Sequence, residues 1–114
     1  MRAERYTEYN YESFAKAEVG RLSEKELLII MEIGYEQIGS ASSFVDYIYE
    51  SYGVSKSTVW YNLKKLKKRG IVSFAEKGEE QKPLELSKLG IYVMRSIAYK
   101  AAARSSYEVA VSGF

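Results

Sequence analysis

The chain has no cysteine and no histidine among its 114 residues. Those two absences exclude disulfide staples, thiol nucleophiles, Cys/His zinc sites and a histidine general base. Carboxylates, lysines, tyrosines and hydroxyls are left for chemistry, with no glycine-rich phosphate loop beside them. An enzyme is therefore not expected, and no cofactor or metal is implied. A single proline, Pro83, leaves the backbone few interruptions and allows long helices. Long apolar runs are missing as well: nothing approaches the ~18 residues a membrane helix needs. The opening MRAERYTEYNYESF is charged and tyrosine-rich where a signal peptide would be apolar. A cytoplasmic protein with no membrane partner is the expectation.

Acidic residues are absent from one stretch in particular. Residues 51–75 carry six Lys/Arg and no Asp/Glu, while residues 1–50 carry five against ten and residues 76–114 six against five. The net charge of +2 conceals this partition. An acidic front, a basic middle and a near-neutral end imply one localised surface for a polyanion, because binding follows where charge sits rather than its sum. The length suffices for one domain with a modest core.

Helix signals recur along the chain. Tyr11, Phe14, Ala15 and Val19 fall three and four apart and predict an amphipathic helix over 8–19. Ser23 and Glu26 form a capping box with Leu22 and Leu27 in the staple positions, which predicts a helix from 23 to 33 ending near Gly34. YEQIGSAS reads as loop with a short strand at Ile38. Ser43 and Asp46 repeat the box pattern and open a helix whose inner face is Phe44, Ile48 and Tyr52, stopped by Gly53. Ser55 caps the next helix, with Val54 and Val59 as staple, Val59, Leu63 and Leu66 as the buried stripe, and Gly70 as its end. IVSFAE and PLELS predict a β-hairpin with a long tip. From Ser87 a last helix carries Leu89, Val93, Ile97 and Ala101 every fourth residue, extends through KAAAR and frays in SSYEVAVSGF.

Helix, helix, tight turn, helix, hairpin is the order of a winged helix-turn-helix domain. The fold class is mainly α with a small β-hairpin wing, with extra helices at both ends. The string GVSKSTVWYNLKKLKKRGIV resembles the recognition-helix signature of MarR- and PadR-type regulators. LELSKLG is similar to their Leu-x-Leu-Thr-x-x-Gly, with Ser87 in place of Thr and Gly90 as the glycine, and Trp60 stands where PadR-like proteins often have an aromatic residue. The resemblance covers about residues 23–95. It divides the chain into an N-terminal helical extension (1–22), a winged helix-turn-helix domain (23–86) and a C-terminal helix for dimerisation (87–114), and it implies a homodimeric transcriptional regulator that binds double-stranded DNA.

Steps of about 100° per residue support that reading from the residues alone. With Val59, Leu63 and Leu66 inward, Ser57, Tyr61, Lys64 and Lys68 take the opposite face, with Thr58 and Lys65 beside them. Ser57, Thr58 and Tyr61 become the candidates for base or sugar contacts, and Lys56, Lys64, Lys65 and Lys68 for phosphates, with Ser55 at the helix start. No Arg, Gln or Glu stands near that start, so Asn62 and the hydroxyls are what remains for reading bases. Six displaced counterions would give a log–log salt slope of about five per chain as an upper bound.

The wing departs from the pattern, since FAEKGEEQKP sets Glu76, Glu79 and Glu80 against Lys77 and Lys82. It is expected to contribute less than the helix, through Lys77 and Lys82. Tyr49 sits where such domains often have a small residue, so it points outward or spreads the two helices. Trp60 and the tyrosines, at helical spacing, read as core or interface, and a small-molecule effector pocket lacks support. Leu89, Val93, Ile97 and Ala101 are the candidate dimer interface, with Ala98 and Ala102 allowing close approach; the other reading is a helix packed on its own domain. The alternative function is a protein-interaction module whose lysines meet an acidic partner, a reading the acidic wing favours.

Overall fold

The computed structural model describes residues 8–112, with side chains described from 10 to 103. Residues 1–7 of the expected N-terminal extension and the last two of the expected fraying segment lie outside the described residues. The order is α1 (Glu8–Val19), α2 (Glu24–Glu36), α3 (Ala41–Tyr52), α4 (Lys56–Lys68), β1 (Val72–Ser73), β2 (Glu85–Leu86) and α5 (Lys88–Ser112).

Local chemistry sets most of the boundaries. In the capping box of α2, the Ser23 amide donates to Glu26 Oε1 at 2.9 Å and the Glu26 amide to Ser23 Oγ at 3.2 Å. The helix runs past Gly34, which lies inside it beside Met94, and ends at Gln37 in the left-handed conformation. The cap of α3 is Ser40, whose hydroxyl accepts from the Ser43 amide at 3.1 Å. Ser43 is therefore the third helical residue and not the cap, and Asp46 is drawn away to Lys56. Ala41, Phe44, Val45 and Ile48 bury the inner face, whereas Tyr52, expected with them, is half exposed with its hydroxyl on Glu32. Ile38 forms no strand; in its neighbourhood the Leu84 amide donates to the Gly39 carbonyl at 3.1 Å.

α4 begins on the Ser55 cap as expected, and Val59, Leu63 and Leu66 are fully buried. It stops in a Schellman motif: the Ile71 amide reaches the Leu66 carbonyl and the Gly70 amide the Lys67 carbonyl, both at 3.0 Å, with Gly70 at φ 76°. Buried Ile71 carries the chain directly into β1. The sheet is antiparallel with Val72 opposite Leu86 and Ser73 opposite Glu85, much shorter than the expected runs.

The Leu-x-Leu-Ser junction then closes the domain. The Ser87 hydroxyl caps α5 by accepting from the Gly90 amide at 3.0 Å, and donates toward the carbonyls of Gly70 and Ile71. A Cβ on Gly90 would lie 2.1 Å from the Ile71 carbonyl oxygen, so only glycine lets α5 press on the start of the wing. Ser87 supplies here the hydroxyl that the Leu-x-Leu-Thr pattern assigns to threonine.

α5 runs to Ser112 with no interruption among the described residues, longer than the fraying expected of SSYEVAVSGF. Its first half belongs to the chain's own core: Val93 is fully buried, and Leu89 and Ile97 pack half-buried against the same cluster. Of the four residues expected at a dimer interface, only Ala101 is exposed. α1 lies along α5, with Tyr11 stacked on Tyr92 at 5.4 Å between ring centres; Ala15 is buried and Phe14 faces outward, half exposed.

The contact between Gly90 and Ile71 sets a stability test. Gly90→Ala is expected to cost about 1–3 kcal/mol and to lower the thermal midpoint, because backbone must move to admit the methyl group. Gly39→Ala, where a Cβ meets nothing within 4 Å, is expected to stay within about 0.5 kcal/mol of wild type. Circular-dichroism melts of the two variants measure the difference.

Candidate nucleic-acid interface

α3 and α4 are joined by three residues, and Gly53 in the left-handed conformation turns the chain between them. The pair lies packed face to face through the buried residues of both helices, which leaves one side of α4 free. Tyr61, at 66 % exposure, dominates that side. Together with Ser57, Lys64 and Trp60 it lines an open groove of about 860 Å³, to which Ala75, Glu76 and Lys77 of the wing and Ser42 of α3 also contribute. Trp60 is half-buried at the border of the core, its ring 6.3 Å from that of Phe74.

The six cations from Lys56 to Arg69 are not equivalent. The Lys56 ammonium lies 3.0 Å from Asp46 on α3 and 5.3 Å from the Tyr49 ring centre. Asp46 holds its pKa above the ordinary lysine range. Tyr49 thus points outward, and the two helices need no extra spacing. Arg69 reaches Glu18 of α1 at 2.6 Å and Glu26 of α2 at 3.6 Å. Lys65 stands 3.8 Å from the same Glu26 and 6.0 Å from the Tyr61 ring centre. Lys67 turns to the wing. Lys64 and Lys68 are exposed and, among the described residues, have no carboxylate partner. The acidic front of the sequence therefore folds partly onto the flank and back of the basic helix, where Asp46, Glu26 and Glu18 absorb charge.

Lys67 has a complete set of acceptors. Its ammonium donates to the Phe74 carbonyl at 2.7 Å, to Glu76 Oε2 at 2.9 Å and to Glu79 Oε1 at 2.8 Å. Glu79, and after it Glu76, hold the lysine above its ordinary pKa range. In return Lys67, and then the Glu76 amide that donates to Glu79 Oε1 at 2.8 Å, hold the Glu79 carboxyl below the usual glutamate range.

The remaining candidates divide clearly. Ser57, Tyr61, Lys64 and Lys77 come together in the groove. Ser55 serves as helix cap, and its hydroxyl donates to that of half-buried Thr58 at 2.8 Å. Asn62, expected to help read bases, is buried, with its side-chain amide donating to the Thr58 carbonyl at 2.9 Å. It follows the apolar stripe because it stands between Val59 and Leu66 in the helical turn. Lys82 is exposed on the wing outside the groove lining. Ser42 also lines the groove: with the cap at Ser40 and not at Ser43, it stands in the first turn of α3 and not in a loop.

No family model and no curated protein sequence matches the chain. Among solved structures, it is similar to the crystal structure of MepR, a transcription regulator of the Staphylococcus aureus multidrug efflux pump MepA. The TM-score is 0.60, over 93 % of this chain and 77 % of that one, at 16 % identity. The likeness is one of fold: the chain has a winged-helix architecture. No helix among the described residues is long and apolar enough to cross a membrane.

The pairing of Lys67 with Glu79 has a definite pH signature. A carboxyl whose folded pKa is depressed stabilises the native wing above the unfolded glutamate pKa, and that contribution disappears as pH falls through the depressed folded value. In a carboxyl ¹³C NMR titration the Glu79 midpoint is expected below the usual glutamate range, and Lys67→Met is expected to move it upward. A midpoint that ignores the substitution would show that the two groups are not in contact.

Proposed function

We propose that this chain binds double-stranded DNA as a homodimeric transcriptional regulator, with α4 lying in the major groove. The observation that carries the reading is the pair Lys64 and Lys68, which are exposed, lack carboxylate partners among the described residues, and belong to the helix face that carries Ser57 and Tyr61. Unpaired cations on a helix of this fold supply attraction to phosphates, and hydroxyls beside them supply contacts to bases and sugars. The likeness in fold to a transcription regulator supports the same reading. With Asn62 turned inward, no Arg, Asn or Gln side chain lines the groove, so discrimination among sequences is modest.

The dimer contact is reassigned within this proposal. Leu89, Val93 and Ile97 are occupied by their own domain. The two-fold surface is placed instead on the outer side of α5, where Tyr99 is 75 % exposed and Ala102, exposed on the same face, permits close approach. To engage one duplex, pairing there must hold the two copies of α4 about 34 Å apart, one turn of DNA. The competing reading as a protein-interaction module drew on the acidic wing, and Glu76 and Glu79 are already bonded to Lys67.

The salt dependence of binding tests the proposal. Lys64, Lys68 and Lys77 together give a log–log slope of about three per chain. Lys64→Ala with Lys68→Ala is expected to lower that slope by about two and to weaken binding to all duplexes alike. Fluorescence anisotropy over a salt series measures both quantities; unchanged affinity in the double variant would remove α4 from the contact surface.

A further inference from the structure

The wing poses an electrostatic problem. Residues 74–83 hold Glu76, Glu79 and Glu80 against Lys77 and Lys82, one more carboxylate than ammonium. A surface of that sign beside a phosphate backbone is repelled by it. The compensating cation comes from another element: Lys67 on α4 crosses to the wing, where three acceptors match its three donors. Its ammonium also sits 4.7 Å from the Phe74 ring centre, and only 20 % of its side chain is exposed.

The same contacts shape the wing. Glu79 Oε1 accepts from both Lys67 and the Glu76 amide, and the Glu79 amide donates to the Glu76 carbonyl at 2.9 Å. Residues 76–79 are thereby closed into a turn that is tied by two carboxylates to α4. Lys77 lies within that turn and lines the same groove as Lys64 and Tyr61. Glu76 lines the groove too, already paired with Lys67.

We propose that Lys67 serves nucleic-acid binding without touching DNA: it cancels the excess negative charge of residues 74–83 at the wing tip, which lets Lys77 in the same turn approach phosphate. The inference rests on the DNA-binding reading above. It divides the basic run KKLKK by task, with Lys64 and Lys68 facing phosphate and Lys67 facing the protein's own carboxylates.

Lys67→Met keeps an unbranched stem over Phe74 and removes only the charge and its hydrogen bonds. Its affinity for a labelled duplex of about 30 base pairs is expected to fall about tenfold, because two freed carboxylates then stand near phosphates. Adding Glu76→Gln and Glu79→Gln to Lys67→Met is expected to bring affinity back to within about twofold of wild type, with the wild-type salt slope. A loss that persists in the triple variant, with a slope lower by about one, would mark Lys67 as a direct phosphate contact and overturn the proposal. Wild-type affinity in Lys67→Met alone would also overturn it, leaving DNA binding by α4 intact. Failure of the wild-type chain to bind any duplex would sink the DNA reading and this one together.

Discussion

Glu26 is the carboxylate on which the arrangement turns. One of its oxygens closes the capping box of α2, and the other faces Arg69 and Lys65 at the far end of α4. Its side chain is 2 % exposed, and those two cations are the charged groups that face it. Breaking such a pair by removing one partner costs about 3–5 kcal/mol when both groups are buried, and less here because Lys65 and Arg69 remain partly in solvent. The start of α2 and the tail of α4 are thereby tied to one buried group. Glu18 extends the tie to α1 through Arg69, which joins the N-terminal helix to the winged domain.

That constraint decides what the basic helix offers to a partner. Two of its cations are held at the back by Glu26 and Glu18, one at the flank by Asp46 and one at the wing by Glu76 and Glu79. The remaining pair, Lys64 and Lys68, faces outward. The unpaired cationic surface is therefore narrower than a count of lysines implies, and its shape comes from where carboxylates are stationed around it. The tip of the wing, residues 74–83, carries no net charge once Lys67 is counted with it.

Features carried by neighbours in sequence were legible. The box of Ser23 and Glu26, the Ser55 cap, the stripe of Val59, Leu63 and Leu66 and the Ser87 and Gly90 junction all depend on residues a few positions apart, and each stands where the pattern placed it. Features that depend on distant partners were not legible. Nothing local distinguishes Lys67 from Lys68, and the difference lies in a wing some ten residues away. Asn62 shows the same limit: its polar side chain marked it for the surface, yet its helical position put it inward, where the Thr58 carbonyl satisfied it. For α5 the fourfold spacing correctly identified an apolar face but not what covers it, which is α1 and the winged domain. The cap of α3 was displaced by three residues because Ser40 and Ser43 are chemically equal candidates and only the backbone separates them.

The division of charge along α4 is most directly tested by a ¹H–¹⁵N spectrum of the lysine ammonium groups recorded during titration with a DNA duplex. The Nζ signals of Lys64 and Lys68 are expected to shift as phosphates approach, while that of Lys67, enclosed by Phe74, Glu76 and Glu79, keeps its position. Movement of the Lys67 signal with Lys64 and Lys68 unchanged would contradict the division and place the contact surface elsewhere.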